Sequence, residues 1–463
     1  MLARAGRPQR SPLTRRAILR RNCTGRQIQA HRVKLVVTTR TSHNTMQLKT
    51  ILNRVQKQPG FVYERAELVE SAAGLRLNVY LRERLGSNPV CSGCGMKRSG
   101  YDRQSERRWL FVPIWNVPVY FVYAPRRCAC RRCGVKVELL PWATGKHQVT
   151  VTMLWFLANW AKVLSWQETA MRFRVGWKTV YRAVDHAVVW GRAHLSLDGI
   201  TAVGVDELSW RVGQKYLTLV YQVDKNCRRL LWIGRDRTAE TFGRFFDWLG
   251  DERCRQLQFV TSDMWKAFVS TVDKLANEEI HVLDRFHVTK MFSEAVDQVR
   301  RDEARRLHAQ GDKVTLKHTR WVLLKNKENL TGKQFRRLQE LEEANNGTMR
   351  GYLLKESFRQ FWDYKSAGWA GRFLDHWVSE ATATKLEPFI KLARTLAEHR
   401  DLLLNWFRAR EEFAAGAVEG FNLKARVTTR MAYGFRSYDH AETALYHRLG
   451  NLPEPDWLTH RFW

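Results

Sequence analysis

The sequence predicts a multidomain α/β protein, and three observations carry that prediction. Short apolar runs alternate with amphipathic helical patterns between Ile200 and His287. Two CxxCG knuckles stand ahead of that region, and a long, highly charged helical stretch follows it. The 463 residues suffice for several cores at about 100–200 residues per domain. A hydrophobic share of 44% with 12% aromatic residues is that of a folding chain and excludes wholesale disorder. The most apolar run, Val149 to Ala161, falls short of the about 18 residues that cross a bilayer. An integral membrane protein is therefore not expected.

The formal net charge is +32, so the expected partner is a polyanion, nucleic acid first. The charge is uneven: Met1–Thr45 holds ten Arg, one Lys and no carboxylate. Its weak periodicity predicts a disordered segment. A DNA-gripping basic arm, an organellar transit peptide and an upstream extension of the reading frame all fit that composition. Ordered patterning begins at Met46, which favours the extension, with translation starting at Met46.

Five of the eight cysteines fall between Cys91 and Cys133. Cys91 and Cys94 form one CxxCG knuckle, two thiolates on a tight turn that glycine lets curl around an ion. Cys130 and Cys133 form the second, with Cys128 as an alternative to Cys130. Strand-like segments Trp109–Pro113 and Val117–Ala124 join them, so the expectation is a zinc ribbon with structural Zn²⁺. A secreted disulfide framework fits less well, because no signal peptide precedes it and five cysteines cannot all pair. Arg126, Arg127, Arg131 and Arg132 crowd the second knuckle and are expected to face phosphate.

From Val149 the pattern turns helical. Ser165 is a candidate N-cap for a short helix from Trp166, and Arg174-Val-Gly176 supplies a turn. A second helix begins at Trp177, with Val180, Val184 and Val188 toward a core. Its other face offers Lys178, Thr179 and Arg182 to bases and phosphates, as a helix-turn-helix requires.

Ile200–Val205 is an apolar strand running into Asp206-Glu207, and Tyr216–Val223 and Arg229–Ile233 are two more. Thr238–Leu249 is an amphipathic helix, Leu257–Ser262 a strand ending in Asp263, and Ile280–Leu283 a strand ending in Asp284. Three strands and a helix, then strand–helix–strand, is the order of a ribonuclease-H-like sheet. Asp is a poor strand residue, so repeated carboxylates at the ends of apolar strands point to a site for hard divalent cations. Helix capping is the competing role for each Asp taken singly. A third acid has two candidates. Glu419, with Asn422, Lys424 and Arg426 around it, follows the charged helical stretch; Asp284 is nearer in sequence. His287 fits either a role near that site or a core hydrogen bond.

Gly204-Val-Asp206-Glu207, Val260-Thr-Ser-Asp263-Met-Trp-Lys-Ala-Phe268, Asp284-Arg-Phe-His287-Val and Val418-Glu419-Gly-Phe-Asn422 resemble the bacterial insertion-sequence transposases of the ISL-three family. The cysteine knuckles and paired helices precede them in the family's order. The resemblance covers Met46 to Gly450 and implies a D-D-E triad of Asp206, Asp263 and Glu419 on a ribonuclease-H-like fold. It implies Mg²⁺ or Mn²⁺ at those acids and a homo-oligomer that synapses two transposon ends. The partner is then double-stranded DNA, as transposon ends and as target, in the bacterial cytoplasm at the nucleoid. The doubled Cys128/Cys130 and the Met1–Thr45 extension depart from the family's pattern. The expected division is a basic extension over 1–45, a zinc-ribbon domain over 46–145 and a helix-turn-helix over 146–195. A catalytic core follows over 196–290, interrupted by a helical insertion over 291–405 and completed by a helical part over 406–463. A non-catalytic DNA-binding regulator, or a nuclease of the same fold that cuts without joining, are the rival expectations.

Overall fold

The computed structural model describes residues 47–458, apart from 73, 212, 214, 276–279, 313, 344–345 and 410–415. The extension over Met1–Thr45 and the Met46 start lie outside the described residues.

Helix α1 (Leu48–Val55) leads into β1 (Phe61–Ser71) and β2 (Gly74–Glu83). After the first knuckle come β3 (Gly100–Arg103), β4 (Arg107–Ile114), β5 (Val117–Tyr123), β6 (Arg126–Cys130) and β7 (Gly134–Val137). They form two sheets, one ordered β1-β2-β5-β4 and one ordered β3-β6-β7. The segments expected to bridge the knuckles are therefore β4 and β5, and they belong to the sheet of β1 and β2. The reason is burial. Trp109, Phe111 and Phe121 pack with Phe61 and Trp142 in an apolar core that a small metal module has no room to hold. Trp115 and Asn116 both take positive φ between β4 and β5, the backbone twist that a two-residue hairpin demands.

Helices α2 (Val151–Ala161), α3 (Trp166–Arg172) and α4 (Trp177–Ala193) follow. Ser165 caps α3, and Glu168 returns its carboxylate to the Ser165 N–H, closing a capping box. In the turn, Arg174 takes the left-handed conformation (φ 52°), while Gly176 is extended and precedes α4. Val180, Val184 and Val188 are buried.

The central sheet contains β8 (Ala202–Arg211), β9 (Lys215–Val223) and β10 (Arg228–Gly234). Helices α5 (Ala239–Leu249) and α6 (Asp251–Cys254) then precede β11 (Phe259–Ser262), α7 (Lys266–Leu275) and β12 (Ile280–Leu283). Its order is β10-β9-β8-β11-β12, antiparallel from β8 to β10 and parallel from β8 through β11 to β12. Both faces are covered, which is why its strands read as nearly continuous apolar runs. Val203, Val205 and Val260 meet Phe242, Phe245 and Phe268 on one face. Ala202, Leu217 and Tyr221 meet Val184 of α4 and the C-terminal helices on the other.

A helical body follows: α8 (Arg285–Ala309), α9 (Arg320–Leu324), α10 (Gly332–Glu343), α11 (Gly347–Phe358), α12 (Ala367–Ala383), α13 (Glu387–Glu398) and α14 (Arg400–Arg408). Phe292, Phe358, Phe361 and Trp377 lie in its core. The chain then returns to the sheet as α15 (Ala417–Met431) and α16 (Tyr438–Leu449). Gly204 permits that return, because a Cβ there would collide with the side chains of Val418 and Thr261. Among the described residues, no helix is long and apolar enough to cross a membrane.

Candidate metal centres and nucleic-acid interface

Sheet register brings the first two acids together. In the parallel pair Thr261 lies opposite Gly204, so Asp206 and Asp263, each two residues further on, come side by side. Asp206 is inside β8 rather than at its end, since the strand continues to Arg211. Ser262 lies opposite Leu283 in β12, which sets Asp284 at the same edge. Ligand atoms of Asp206, Asp263 and His287 lie within 4.8 Å of one another. Asp284 stays outside that group: one oxygen caps α8 on the Phe286 N–H (2.8 Å) and the other holds His287 Nδ1 (3.3 Å). Asp284 thus caps α8 and at the same time contacts His287.

Charge at this edge is costly without a counter-ion. Burial pushes the Asp206 carboxyl up to about 6, against the pull of His287, and the neighbouring Asp263 and Asp284 raise it further. Asp263 is also raised, first by burial. His287 is raised mainly by its bond to Asp284. Crowded, desolvated acids of this kind are relieved by a cation.

Asn422 is the link to the distant helix. Its amide N–H donates to Asp206 Oδ2, and its carbonyl accepts from the Tyr221 hydroxyl at 2.9 Å. Phe421 stacks on Tyr221 beside it, centroids 4.9 Å apart. Glu419 is exposed in the first turn of α15, one helical turn before Asn422, and its carboxylate is not among the atoms gathered around Asp206. Lys424 and Arg426 are exposed on the same helix.

The four cysteines Cys91, Cys94, Cys130 and Cys133 bring their Sγ atoms within 4.8 Å of one another. Cys128 is buried outside that quartet, so the ambiguity at the fourth position falls to Cys130. Alternation along β6 puts both thiols on one face, which is why spacing alone does not separate them. Gly95 and Gly134, each following a knuckle cysteine, take φ of 69° and 74°. Cys94 and Cys130 are 3.6 Å apart, close to the about 3.8 Å edge of a tetrahedron with zinc–sulfur bonds of about 2.3 Å. Arg98 donates to Cys130 Sγ at 3.3 Å and draws that thiol down to about 6.

The basic residues near this module divide. Arg126 is partly buried, with its guanidinium on Glu138 Oε2 (2.7 and 2.9 Å) and on the Ser87 carbonyl (2.6 Å). That corrects the expectation that it faces phosphate: its donors are spent on a buried carboxylate. Arg127 pairs with Asp102 at the surface, and Arg131 and Arg132 are exposed. On α4, Lys178 and Arg182 are exposed and Thr179 is half-buried. Arg126→Ala is expected to destabilise the fold by about 3–5 kcal/mol, since it leaves Glu138 buried and unpaired. Its salt dependence of DNA binding should match the wild type, and a shallower salt slope would restore Arg126 to the interface.

Sequence reasoning missed Arg237. Its Nη1 donates to both oxygens of Glu207 at 3.0 and 2.9 Å, directly beside Asp206. A single arginine in a loop carries no spacing signal, so nothing in the sequence marked it.

Two acids with a histidine at one place and four cysteines at another give this chain, of net charge +32, two candidate metal centres. A family model described as transposase matches residues 203–445, from β8 through α16. The chain is 29% identical over 387 residues to the transposase for insertion sequence element IS1001 of Bordetella parapertussis, covering 82% of this chain and 93% of that protein. It is 31% identical over 408 residues to the transposase for insertion sequence element IS1557 of Mycobacterium tuberculosis (strain CDC 1551 / Oshkosh), covering 81% and 89%. This chain belongs to the ISL3 family of insertion-sequence transposases.

Proposed function

We propose that this protein binds the terminal inverted repeats of its insertion sequence and cuts and rejoins DNA at Asp206 and Asp263. The observation that carries the reading is the convergence of those two carboxylates with His287 at the parallel edge of the sheet. The strand order supports a ribonuclease-H-like core, and the return of α15 after the helical body supports a core completed by its C-terminal part.

Oxygen donors from Asp206 and Asp263 suit Mg²⁺ or Mn²⁺, with Glu419 as the third acid of a D-D-E set. Such ions supply activation of the attacking oxygen and neutralisation of charge on the phosphodiester. The protein's own part is positioning. Asn422 fixes one oxygen of Asp206, the Trp265 N–H holds Asp263 Oδ1 at 2.9 Å, and Asp284 orients His287. Glu419 stands three residues before Asn422 on α15, and residues so spaced are neighbours on a helix surface, which supports its reaching toward that edge. Water attacks phosphorus and the 3′-oxygen leaves as a hydroxyl; that hydroxyl then attacks a target phosphodiester, whose own 3′-oxygen leaves, so no covalent bond to the protein is required.

The cysteine quartet suits a structural Zn²⁺ by donor type and spacing. Helices α3 and α4 serve as the helix-turn-helix, with Lys178, Thr179 and Arg182 toward DNA, and Arg127, Arg131, Arg132, Lys424 and Arg426 add backbone contacts. Two ends must be held at once, so the working species is a homo-oligomer, acting in the bacterial cytoplasm on nucleoid DNA.

Purified protein given the element's ends and Mg²⁺ should nick the ends and join them to target DNA. Binding without cleavage in Mg²⁺ or Mn²⁺ would support the regulator instead, and cutting without joining the nuclease. Replacing Lys178 and Arg182 together by Ala should weaken end binding and lower the salt slope by about 2. An unchanged slope would remove α4 from the interface.

A further inference from the structure

Beside the paired acids stands a layered group of side chains. The Arg237 guanidinium lies 4.0 Å from the Tyr216 ring centroid and 4.8 Å from that of Trp265. The Trp265 backbone N–H is bonded to Asp263, and its indole N–H donates to the Arg237 carbonyl at 3.3 Å. Through Glu207 the same Arg237 is tied to the residue next to Asp206. The stack is therefore anchored on both sides of the acid pair. Two features are left over once the protein's own contacts are counted. Trp265 is 42% exposed, although an indole gains most when covered. Only Nη1 of Arg237 is engaged, and its Nε and second terminal nitrogen meet no acceptor among the described residues. An exposed indole and an open guanidinium edge, side by side, match the two halves of a nucleotide: a flat ring and a phosphate.

We propose that Trp265 and Arg237 form a subsite for one unpaired nucleotide next to the phosphate being cut, with the base stacked on Trp265 and its phosphate held by Arg237. The inference rests on the reading that the Asp206–Asp263 edge acts on DNA. The nucleotide must be unpaired because both faces of a base within a duplex are already covered by its neighbours. Tyr216 and Glu207 hold Arg237 flat and fixed, so it meets the phosphate with its donors already oriented. The subsite selects for ring and charge rather than for base identity, since every base offers a π face.

The test is a cycle between protein and DNA. Filter binding to end duplexes is measured in an Asp206→Asn background, where the strand stays uncut. Abasic residues are placed in turn at each position flanking the cleaved phosphate. Trp265→Ala alone and the abasic change alone should each weaken binding about 5- to 150-fold at one position. Combined there, they should cost no more than either does alone, because each removes the same stack. Trp265→Phe, which keeps a ring, should retain most of the affinity on intact DNA. Additive losses at every position, or no loss from Trp265→Ala, overturn the subsite. Failure of the broader reading looks different: the wild type would then bind no ends at all or leave them uncut in Mg²⁺.

Discussion

Asp206→Asn is expected to bind transposon ends with near wild-type affinity while metal-dependent nicking falls by at least about 10³-fold, some 4 kcal/mol of barrier. The substitution keeps the shape of the side chain and removes the charge that a cation needs. Asp206 is 6% exposed and gains no access to other ligands when its charge is lost. Asp263→Ala should behave alike, because the register makes the two carboxylates one site. Cleavage retained in both variants would sink the metal site. The third position is decided by the same assay. Glu419→Gln should match Asp206→Asn, whereas His287→Gln should cost only about 10-fold through looser placement of the acids. The reverse order would make His287 the third donor.

Cys130→Ser should abolish zinc binding and unfold the β3-β6-β7 sheet. Zinc bound to four thiolates contributes about 10–16 kcal/mol in small metal modules, far more than so small a sheet gains by burial. Cys128→Ser should keep its zinc, because Cys128 is outside the quartet. Metal content by atomic emission, with limited proteolysis of residues 91–137, separates the two variants. Zinc retained in Cys130→Ser and lost in Cys128→Ser would exchange their roles.

Much of this protein was legible from local pattern. The strands around both acids, the Ser165 cap and the two knuckles are written in short-range features: apolar alternation, one hydroxyl before a helix, glycine after cysteine. Those signals act over a few residues, and the chain obeys them. The resemblance in the segments around Asp206, Asp263 and Glu419 pointed to the family that the comparisons then showed.

What lay between elements was not legible. The sequence by itself determined which residues can ligate: soft thiolates in pairs, hard carboxylates beside apolar strands, and basic residues in excess. Only the tertiary structure decided which of them meet. It chose Cys130 over Cys128 although both face the same way along β6, and it spent Arg126 on Glu138 rather than leaving it for phosphate. It brought His287 to the acids and joined Asn422 to Asp206 across 216 residues of chain. It also folded Arg237 between Tyr216 and Trp265. The physical reason is the range of the forces. Propensity and capping are settled within a turn or a strand, whereas a buried charge is settled by whichever partner the packing of distant elements delivers.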